Sequence, residues 1–368
     1  MRGTARINVF GLALLLGLLC FAWAPAPGQA EEVIKLKAAT IYPLKHRMVT
    51  DCFDIYTKEI EKRTNGKVTI TWFHASSLVG QDRMHDAVSS GMVDMAWLSI
   101  FQDPHLFPVS LGVGLPFMAD SALHAAMIGH AMWEQIPELK DEWSKFKLLG
   151  LGSSDVTNMV YAKKIAPKTP EEMKGLRMGG GLSQLMDILK LLPCAPQYVK
   201  TEDIYLGLQR RMIDGVFFPD APLRSFRFTD VTQGHTMGNF VVTPYALAMR
   251  KESWDKLPPE VQKVFNELDP SLILLAGHTL SNEGQWVIQA LKERGDAFYY
   301  LTPEDKAQWS KLLNPLFEQY VTKLNEKGYD GAAILAKLKQ ISEDKRKNPD
   351  SESYDWWKAS NMGKARQK

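Results

Sequence analysis

The feature that most constrains the fold is a strand–helix–strand pattern that occurs twice along the chain. The second copy is the clearer one: residues 194–219 predict a short strand, a helix and another strand, with Ile204, Leu208 and Met212 on one helical face. Pro219 ends the last strand, so a loop follows at its carboxyl end. Ligands bind at that edge of open α/β sheets, which makes this loop the first candidate for a binding site.

An earlier segment has the same order of elements. Residues 68–73 predict a strand rich in β-branched residues, residues 81–90 predict a helix, and the turn at 91–96 matches that at 211–216 around a shared Met–Val/Ile–Asp. Three matched residues alone would be weak evidence, but the element order agrees as well, and this favours two similar lobes over two unrelated segments. The strand and helix that precede each copy are predicted at 34–40 with 47–63 and at 175–178 with 182–192.

The chain is predicted to leave the first lobe and return to it. Strands at 148–152 and 158–162 cross between the lobes, and a strand at 240–250 comes back. A helix at 258–295, with a break near Asp269-Pro270, is long enough to brace both lobes. Such crossings suit hinge closure over a small ligand. The predicted discontinuous division assigns 31–155 and 240–285 to lobe I and 156–239 and 286–344 to lobe II.

Four residues carry helix-start signals. Thr169 and Thr302 each precede a proline and an acidic residue, which is the pattern of a capped first turn. Thr201 or Glu202 is expected to cap the helix of the second copy. These signals predict where three of the helices of the chain begin.

The first thirty residues have the pattern of a secretory signal peptide, which predicts a periplasmic protein. Arg2 and Arg6 precede an apolar stretch at 9–23 and a small-residue cleavage site at 28–30. The mature chain would begin at Glu31. Loss of the two arginines takes the formal net charge from +2 to 0, and no basic stripe typical of a nucleic-acid-binding protein is present in the sequence.

Two cysteines and the polar tail leave alternatives open. Cys52 and Cys194 remain after processing. Buried thiols are favoured over a disulfide, because a chain with a large core does not need a disulfide for stability. The basic tail at 345–368 contains Trp356 and Trp357. A docked or frayed terminus is the favoured interpretation of this tail, with a partner-binding segment as the alternative.

Seven short motifs point to one family, in the expected order over most of residues 31–324. They are Thr64–Val68, Leu78–Gly80, Ser90–Ala96, Leu115–Phe117, Met173–Met178, Asp203–Gln209 and Ile213–Gly215. Together they resemble the periplasmic solute receptors of TRAP transporters, of the dicarboxylate-receptor type. The resemblance implies an α/β, class II-like periplasmic binding protein fold with two lobes, a long bracing helix and a ligand in the cleft. It also implies delivery of that ligand to a membrane permease driven by an ion gradient.

Three positions depart from the carboxylate site that the resemblance implies. The arginine with which the family clamps a ligand carboxylate aligns with Gly179. Phe218 replaces a polar residue before a proline, and Thr201 replaces an aromatic residue. A hydrogen bond to a charged group contributes about 1.5–3 kcal/mol. A carboxylate ligand therefore needs another anchor here, or is not the ligand.

Two ligand classes stay open. The glycine run at 179–181, predicted to be a turn before a helix, could hold an anion on its backbone N–H groups, although a plain tight turn is favoured. An aromatic or apolar ligand could instead lie between rings, since the register that the resemblance implies makes Phe218 face the cleft. Asp220 could pair with a positive or hydroxyl-bearing ligand. The candidate ligand-binding residues are Phe218, Phe217, Gly179, Gly180, Trp97, Tyr42, His74, Asn158, Tyr198 and Asp220.

The sequence gives little support to an enzyme. It has no Gly-x-Ser-x-Gly and no His-Glu-x-x-His motif, and its cysteines lack neighbours at metal-ligand spacing. Asp94 and Asp214 occupy equivalent turns, so a structural role is expected for both. We therefore expect a non-enzymatic periplasmic receptor for a small organic acid or an aromatic or apolar compound, without cofactor, metal or nucleic acid.

The partner expected from the resemblance is a membrane-embedded TRAP permease. A receptor that feeds a membrane sensor is the main alternative, and a secreted enzyme is a weaker one. A monomer is favoured and a dimer stays open.

Overall fold

The computed structural model describes residues 33–348, so the predicted signal peptide and most of the predicted tail lie outside the described residues. Nine strands in this range form one mixed sheet. They are β1 (Ile34–Ala39), β2 (Val68–Phe73), β3 (Met95–Ser99), β4 (Phe146–Tyr161), β5 (Arg177–Gly180), β6 (Ala195–Tyr198), β7 (Gly215–Pro219), β8 (Gly234–Arg250) and β9 (Ala297–Tyr300). The order is β2-β1-β3-β8-β4-β7-β5-β6, and β9 pairs with β8.

Helices cover the sheet and fill the connections between its strands. In the described range they are α1 (Asp54–Arg63), α2 (Met84–Ser89), α3 (Ala122–Gln135), α4 (Pro137–Glu142), α5 (Ser183–Lys190), α6 (Ile204–Gln209), α7 (Lys251–Asp255), α8 (Pro259–Arg294), α9 (Pro303–Leu313), α10 (Pro315–Glu326) and α11 (Gly331–Lys347). None of these helices combines the length and apolarity that a membrane-spanning helix needs.

The two sequence copies fold alike, which confirms the predicted pair of similar lobes. Residues 81–100 and 201–220 each form a short 3₁₀ turn, a helix, a turn and a strand, with the same burial at each step. Asp94 accepts a hydrogen bond from the backbone N–H of Lys37 at 2.8 Å, and Asp214 accepts one from that of Arg177 at 3.0 Å. Each aspartate thus ties its turn to a neighbouring strand, in the structural role expected for it.

Strands β4 and β8 carry the chain between the two halves of the sheet. The first part of β4 pairs with the part of β8 that also pairs with β3, whereas residues 157–161 of β4 pair with β7. The register shifts between Ser153 and Val156, where the neighbours change. Such bulges bend a strand. The bend supports a lobe boundary near residue 155, and the full division of the chain between the lobes stays a prediction.

One predicted break is wrong, and one predicted strand starts too late. The strands predicted at 148–152 and 158–162 are one strand, because Ser153, Val156 and Thr157 pair with β8 and the two residues of the bulge between them are buried. The predicted strand at 240–250 likewise begins earlier, at Gly234. A central strand with partners on both sides satisfies its backbone hydrogen bonds and stays extended.

The long bracing helix is confirmed as α8, but without the predicted break at Pro270. The helix spans 36 residues and continues through this proline. A proline in a helix interior costs about 3 kcal/mol. Packing offsets this cost, because Leu272 and Leu275 are buried in the core and the Tyr56 hydroxyl donates to the Asp269 carboxylate at 2.6 Å.

One of the predicted helix caps is confirmed and two are wrong. Thr302 and Asp305 form a reciprocal capping box at the start of α9. Thr169 makes no capping hydrogen bond, and only a short 3₁₀ turn follows it. Thr201 and Glu202 do not cap α6, since both lie within a 3₁₀ turn that precedes it. The Thr201 hydroxyl instead donates to the side-chain oxygen of Gln81 at 3.3 Å.

The two remaining cysteines are not joined. No disulfide links Cys52 and Cys194 in the described structure, and Cys52 donates to the Thr279 hydroxyl at 3.5 Å. Burial raises the pKa of the Cys194 thiol to about 11. Both residues are thiols, as the sequence favoured.

Candidate ligand-binding site

A small cavity lies where the two lobes meet, beside the carboxyl end of β7. Its volume is about 30 Å³, which is enough for one or two water molecules. Entry of an organic ligand therefore requires side chains or lobes to move. The polar side chains that line it are Tyr42, Gln81, Ser154, Thr201, Thr243 and Tyr245.

Two tyrosines form the lobe I wall of the cavity. The rings of Tyr42 and Tyr245 lie 6.3 Å apart between their centroids. Trp97 stacks behind Tyr245, with centroids 5.6 Å apart, and is fully buried. Burial raises the pKa of Tyr245 to about 12, and burial also raises that of Tyr42. Both phenols are therefore neutral at physiological pH, and Trp97 supports the wall without lining the cavity.

Phenylalanines form the opposite wall, in lobe II. Phe218 lines the cavity, and its ring lies edge-on to those of Phe226 and Phe228, with centroids 5.9 and 4.8 Å away. Phe217 points to the other face of β7, because neighbouring strand residues alternate. It is fully buried and packs against Phe240 at 5.8 Å. The structure brings Phe218 to the cavity, as the register predicted, and places Phe217 in the core.

The glycine run does not form the predicted turn over its whole length. Gly179 and Gly180 belong to β5 and pair with β6, and Gly179 also pairs with β7. A side chain at Gly179 would meet Ile213, and one at Gly180 would meet Leu189 and other residues of α5. Only Gly181 lines the cavity. Gly179 and Gly180 therefore belong to the hydrogen-bonded sheet and do not form an anion-binding turn at the cavity.

The first turn of α5 contacts the other lobe directly. The Ser183 hydroxyl donates to the carbonyl oxygens of Phe101 and Gln102, each at 2.8 Å. The backbone N–H of Gln184 also donates to the Phe101 carbonyl, at 3.1 Å. The start of α5, which the sequence suggested as an anion site, thus donates its hydrogen bonds to carbonyl oxygens of lobe I.

Asn158 and Asp220 lie behind the cavity rather than in its lining. Asn158 donates to Asp220 at 2.8 Å and accepts from the backbone N–H groups of Gly238 and Asn239. The second carboxylate oxygen of Asp220 has no hydrogen-bond partner among the described residues. Burial raises the pKa of Asp220 well above its usual value, and the neighbouring Asp155 adds to this. The pair is therefore a buried polar cluster at the lobe crossing.

His74 and Tyr198 lie at the ends of two other strands, β2 and β6. His74 is half-buried at the end of β2, and burial lowers its pKa. Tyr198 ends the edge strand β6 and is 52% exposed. Neither residue lines the cavity.

Sequence reasoning missed several cavity residues. Gln81 directly follows the motif Leu78–Gly80, so its position carried a usable signal. Tyr245 lies in the strand that was predicted to return to lobe I. Ser154 and Thr243 gave no local signal, because they meet only where β4 and β8 cross between the lobes.

The cavity lining in the described structure contains no lysine or arginine. Lys200, which directly precedes the lining residue Thr201, pairs with Asp82 of the other lobe at 3.3 Å. Side-chain hydrogen bonding to Asp82 raises the pKa of Lys200. Within residues 33–348 no group of three or more acidic, histidine or cysteine side chains is placed to hold a metal ion.

The model of the family of bacterial extracellular solute-binding proteins, family 7 (DctP), matches residues 39–324. The chain belongs to this family. A C4-dicarboxylate-binding periplasmic protein DctP from Rhodobacter capsulatus is 24% identical over 284 residues, which cover 76% of this chain and 82% of the relative.

Two solved structures show the same fold. A marine metagenome TRAP solute-binding protein, described as specific for aromatic acid ligands, superposes with a TM-score of 0.78 at 20% identity, over 84% of this chain and 99% of that one. A TRAP periplasmic solute-binding protein from Desulfovibrio salexigens gives a TM-score of 0.74 at 25% identity, over 90% and 99% of the two chains.

Membership of this DctP family confirms the architecture and class expected from the sequence. The protein is a two-lobed periplasmic solute-binding protein of the TRAP type, and the family is one of binding proteins rather than enzymes. The association with a TRAP transporter follows from the family. The identity of the solute and the residues that bind it do not follow from the family alone.

Proposed function

We propose that this receptor binds a small aromatic compound with one polar group, in preference to a C4-dicarboxylate. The observation that carries the proposal is the make-up of the cavity. Aromatic rings from both lobes, including Tyr42, Tyr245 and Phe218, face a space whose lining in the described residues has no cation.

The balance of energies supports a ring over two carboxylates. Aromatic pairs contribute about 0.5–1.5 kcal/mol each beyond the area they bury. A dicarboxylate brings two charges into the cavity, and because no lysine or arginine lines it, neutral hydroxyl and amide groups alone would have to offset the lost hydration of both charges. The buried carboxyls of Asp155 and Asp220 lie nearby at the lobe crossing and add no positive charge.

Neutral hydroxyl and amide groups would hold the ligand's polar group. The Thr243 hydroxyl is buried in the cavity lining and has no hydrogen-bond partner among the described residues. The phenols of Tyr42 and Tyr245 lie in the same lining. A carboxylate, amide or hydroxyl group on one ring would each find donors here, so aromatic monoacids belong to the proposed class.

A C4-dicarboxylate is the second candidate, because the relative from Rhodobacter capsulatus is a C4-dicarboxylate-binding protein. The position that aligns with the family's clamping arginine is Gly179, which is buried in β5. A dicarboxylate receptor would need a cation that the described cavity does not offer.

A thermal-shift screen of the mature protein tests the proposal. The panel holds one ring with three head groups (benzoate, benzamide and phenol) and succinate as the dicarboxylate. A ligand at 100 times its Kd adds about 2.7 kcal/mol of stability, which moves the Tm of a chain this long by a few degrees. The proposal expects shifts from aromatic compounds; a shift from succinate alone contradicts it.

The closed form of the receptor is proposed to dock on the membrane-embedded TRAP permease as a monomer. Support comes from the contacts between the lobes, since Ser183 and Lys200 of lobe II bind Gln102 and Asp82 of lobe I. Sedimentation of the purified protein tests the oligomeric state, and copurification with the permease in the presence of ligand tests docking. A stable dimer, or binding to the permease that ignores the ligand, contradicts this part.

A further inference from the structure

We propose that the Gln81 side chain couples ligand binding to lobe closure. The inference rests on the proposed function, since it takes the cavity as the ligand site. Gln81 lines the cavity at the start of the 3₁₀ turn that precedes α2. It therefore contacts the space where a ligand would lie, and it also contacts both lobes.

The amide of Gln81 makes one hydrogen bond to each lobe. Its nitrogen donates to the Tyr245 hydroxyl, in the lobe I wall, at 3.1 Å. Its oxygen accepts from the Thr201 hydroxyl, in lobe II, at 3.3 Å. Because Thr201 moves with lobe II, the second bond exists only when the lobes are closed. A ligand that fixes Tyr245 also fixes the amide in the orientation that receives Thr201.

The internal repeat gives independent support for this pairing. Gln81 and Thr201 are equivalent residues, since each begins the 3₁₀ turn before the corresponding helix of its lobe. The first residue of this 3₁₀ turn in each lobe thus contacts the first residue of the equivalent turn in the other lobe. The Thr201 hydroxyl, expected from the sequence to cap its own helix, donates across the cleft instead.

The neighbouring ion pair provides a matched control. Lys200 and Asp82 also join the lobes, at 3.3 Å, but both side chains lie at the rim, 51% and 38% exposed. Neither residue lines the cavity. Exposed ion pairs contribute about 0–1 kcal/mol. Asp82→Ala therefore removes a contact between the lobes without touching the ligand site.

A double-mutant cycle with Gln81→Met and Thr201→Val tests the coupling. Both substitutions keep approximate size and remove the hydrogen bond between the lobes. Affinity for benzoate is measured by calorimetry on the mature protein, with succinate as the second probe, and closure is followed by small-angle X-ray scattering. Each single variant is expected to weaken binding about three- to tenfold, which corresponds to one neutral hydrogen bond.

The expected signature is non-additivity together with loss of closure. The double variant should bind no more weakly than Gln81→Met alone, because the shared bond is already lost. The radius of gyration of both single variants should decrease less on ligand addition than that of the wild type. Asp82→Ala should show the full decrease and bind the ligand with an affinity within twofold of the wild-type value. Additive losses, or equal effects of Asp82→Ala, overturn the coupling. If the wild type binds neither probe, the proposed function falls and the coupling falls with it.

Discussion

Phe218 and Thr243 are the residues on which the ligand proposal depends most directly. Phe218 supplies the lobe II wall of the cavity, and Thr243 places a buried hydroxyl in its lining. A buried donor left without a partner costs about 1–3 kcal/mol, which a ligand hydrogen bond would recover. Of the ten candidates from the sequence, Phe218 and Tyr42 line the cavity, whereas Trp97 supports it from behind.

Substitution of Phe218 tests the aromatic wall. Phe218→Ala should weaken binding of benzoate about ten- to a hundredfold, since burying a phenylalanine against a ligand contributes about 1.5–3 kcal/mol. Calorimetry gives the affinity, and circular dichroism checks the fold. The matched control is Phe217→Leu, on the opposite face of the same strand, which should lower the Tm and leave the affinity unchanged. An unaltered affinity in Phe218→Ala removes this residue from the site.

Asp220 predicts a pH dependence of folding stability. Burial raises its pKa in the folded state, whereas an unfolded aspartate titrates near about 3.9. The folded protein therefore holds a proton that the unfolded chain releases as pH rises above about 4. The contribution of Asp220 to stability is fully present below that pH and is lost as pH rises toward its folded pKa.

The variant that tests this pH dependence is Asp220→Asn, which can still accept from Asn158. Relative to the wild type, its free energy of unfolding in urea should be more favourable at pH 8 than at pH 4.5. Asp187→Asn, at a carboxylate whose side chain is 42% exposed, is a control without this burial. If the difference between Asp220→Asn and the wild type is the same at both pH values, the buried acid is not the cause.

At the scale of elements, α8 and β4 form the brace that both lobes share. The helix packs closely on the strand where Gly150 faces Ile273, and a Cβ at this glycine would lie 2.2 Å from the nearest Ile273 carbon. Elements with strong local patterns, such as α8 and the repeated helices, could be predicted from the sequence.

Gly150→Ala should destabilise the protein by about 1–3 kcal/mol, because the added methyl group would overlap the Ile273 side chain and force it to move. Urea unfolding measures the loss. The double variant with Ile273→Ala should lose less than the sum of the two single variants, since the shortened side chain makes room. Strict additivity, or a neutral Gly150→Ala, would show that α8 and β4 are packed less closely here.

What the sequence could not predict belongs mainly to contacts between distant elements. Strand β4 was predicted as two strands, and only the pairing of Ser153, Val156 and Thr157 with β8 joins them into one. Thr201 carried the signal of a helix cap, but its hydroxyl bonds Gln81 across the cleft. In both cases a partner far away in sequence overrides a correct local tendency. The repeat and the brace have local patterns and were predicted from them, whereas the cleft wall at Phe218 was predicted from the register of the family that the chain resembles.

At the scale of the whole molecule, the C-terminal helices tie both lobes together. Trp309 of α9 donates to the Lys168 carbonyl at 3.3 Å, whereas Tyr320 of α10 donates to that of Val109 at 3.3 Å. Ser342 of α11 donates to the Met118 carbonyl at 2.6 Å. Residues 286–344 were assigned to lobe II, but α10 and α11 contact segments assigned to lobe I. We expect these helices to stay with lobe I during closure.

The central claim is that an aromatic, cation-free cleft selects a ring with one polar group. Calorimetric titration of the unfolded and refolded mature protein, which removes any copurified solute, tests it most directly. We predict that benzoate and benzamide bind with affinities within about tenfold of each other, because neutral donors replace the arginine clamp, and that succinate binds far more weakly. Tight binding of succinate with no heat from either aromatic compound would contradict the account.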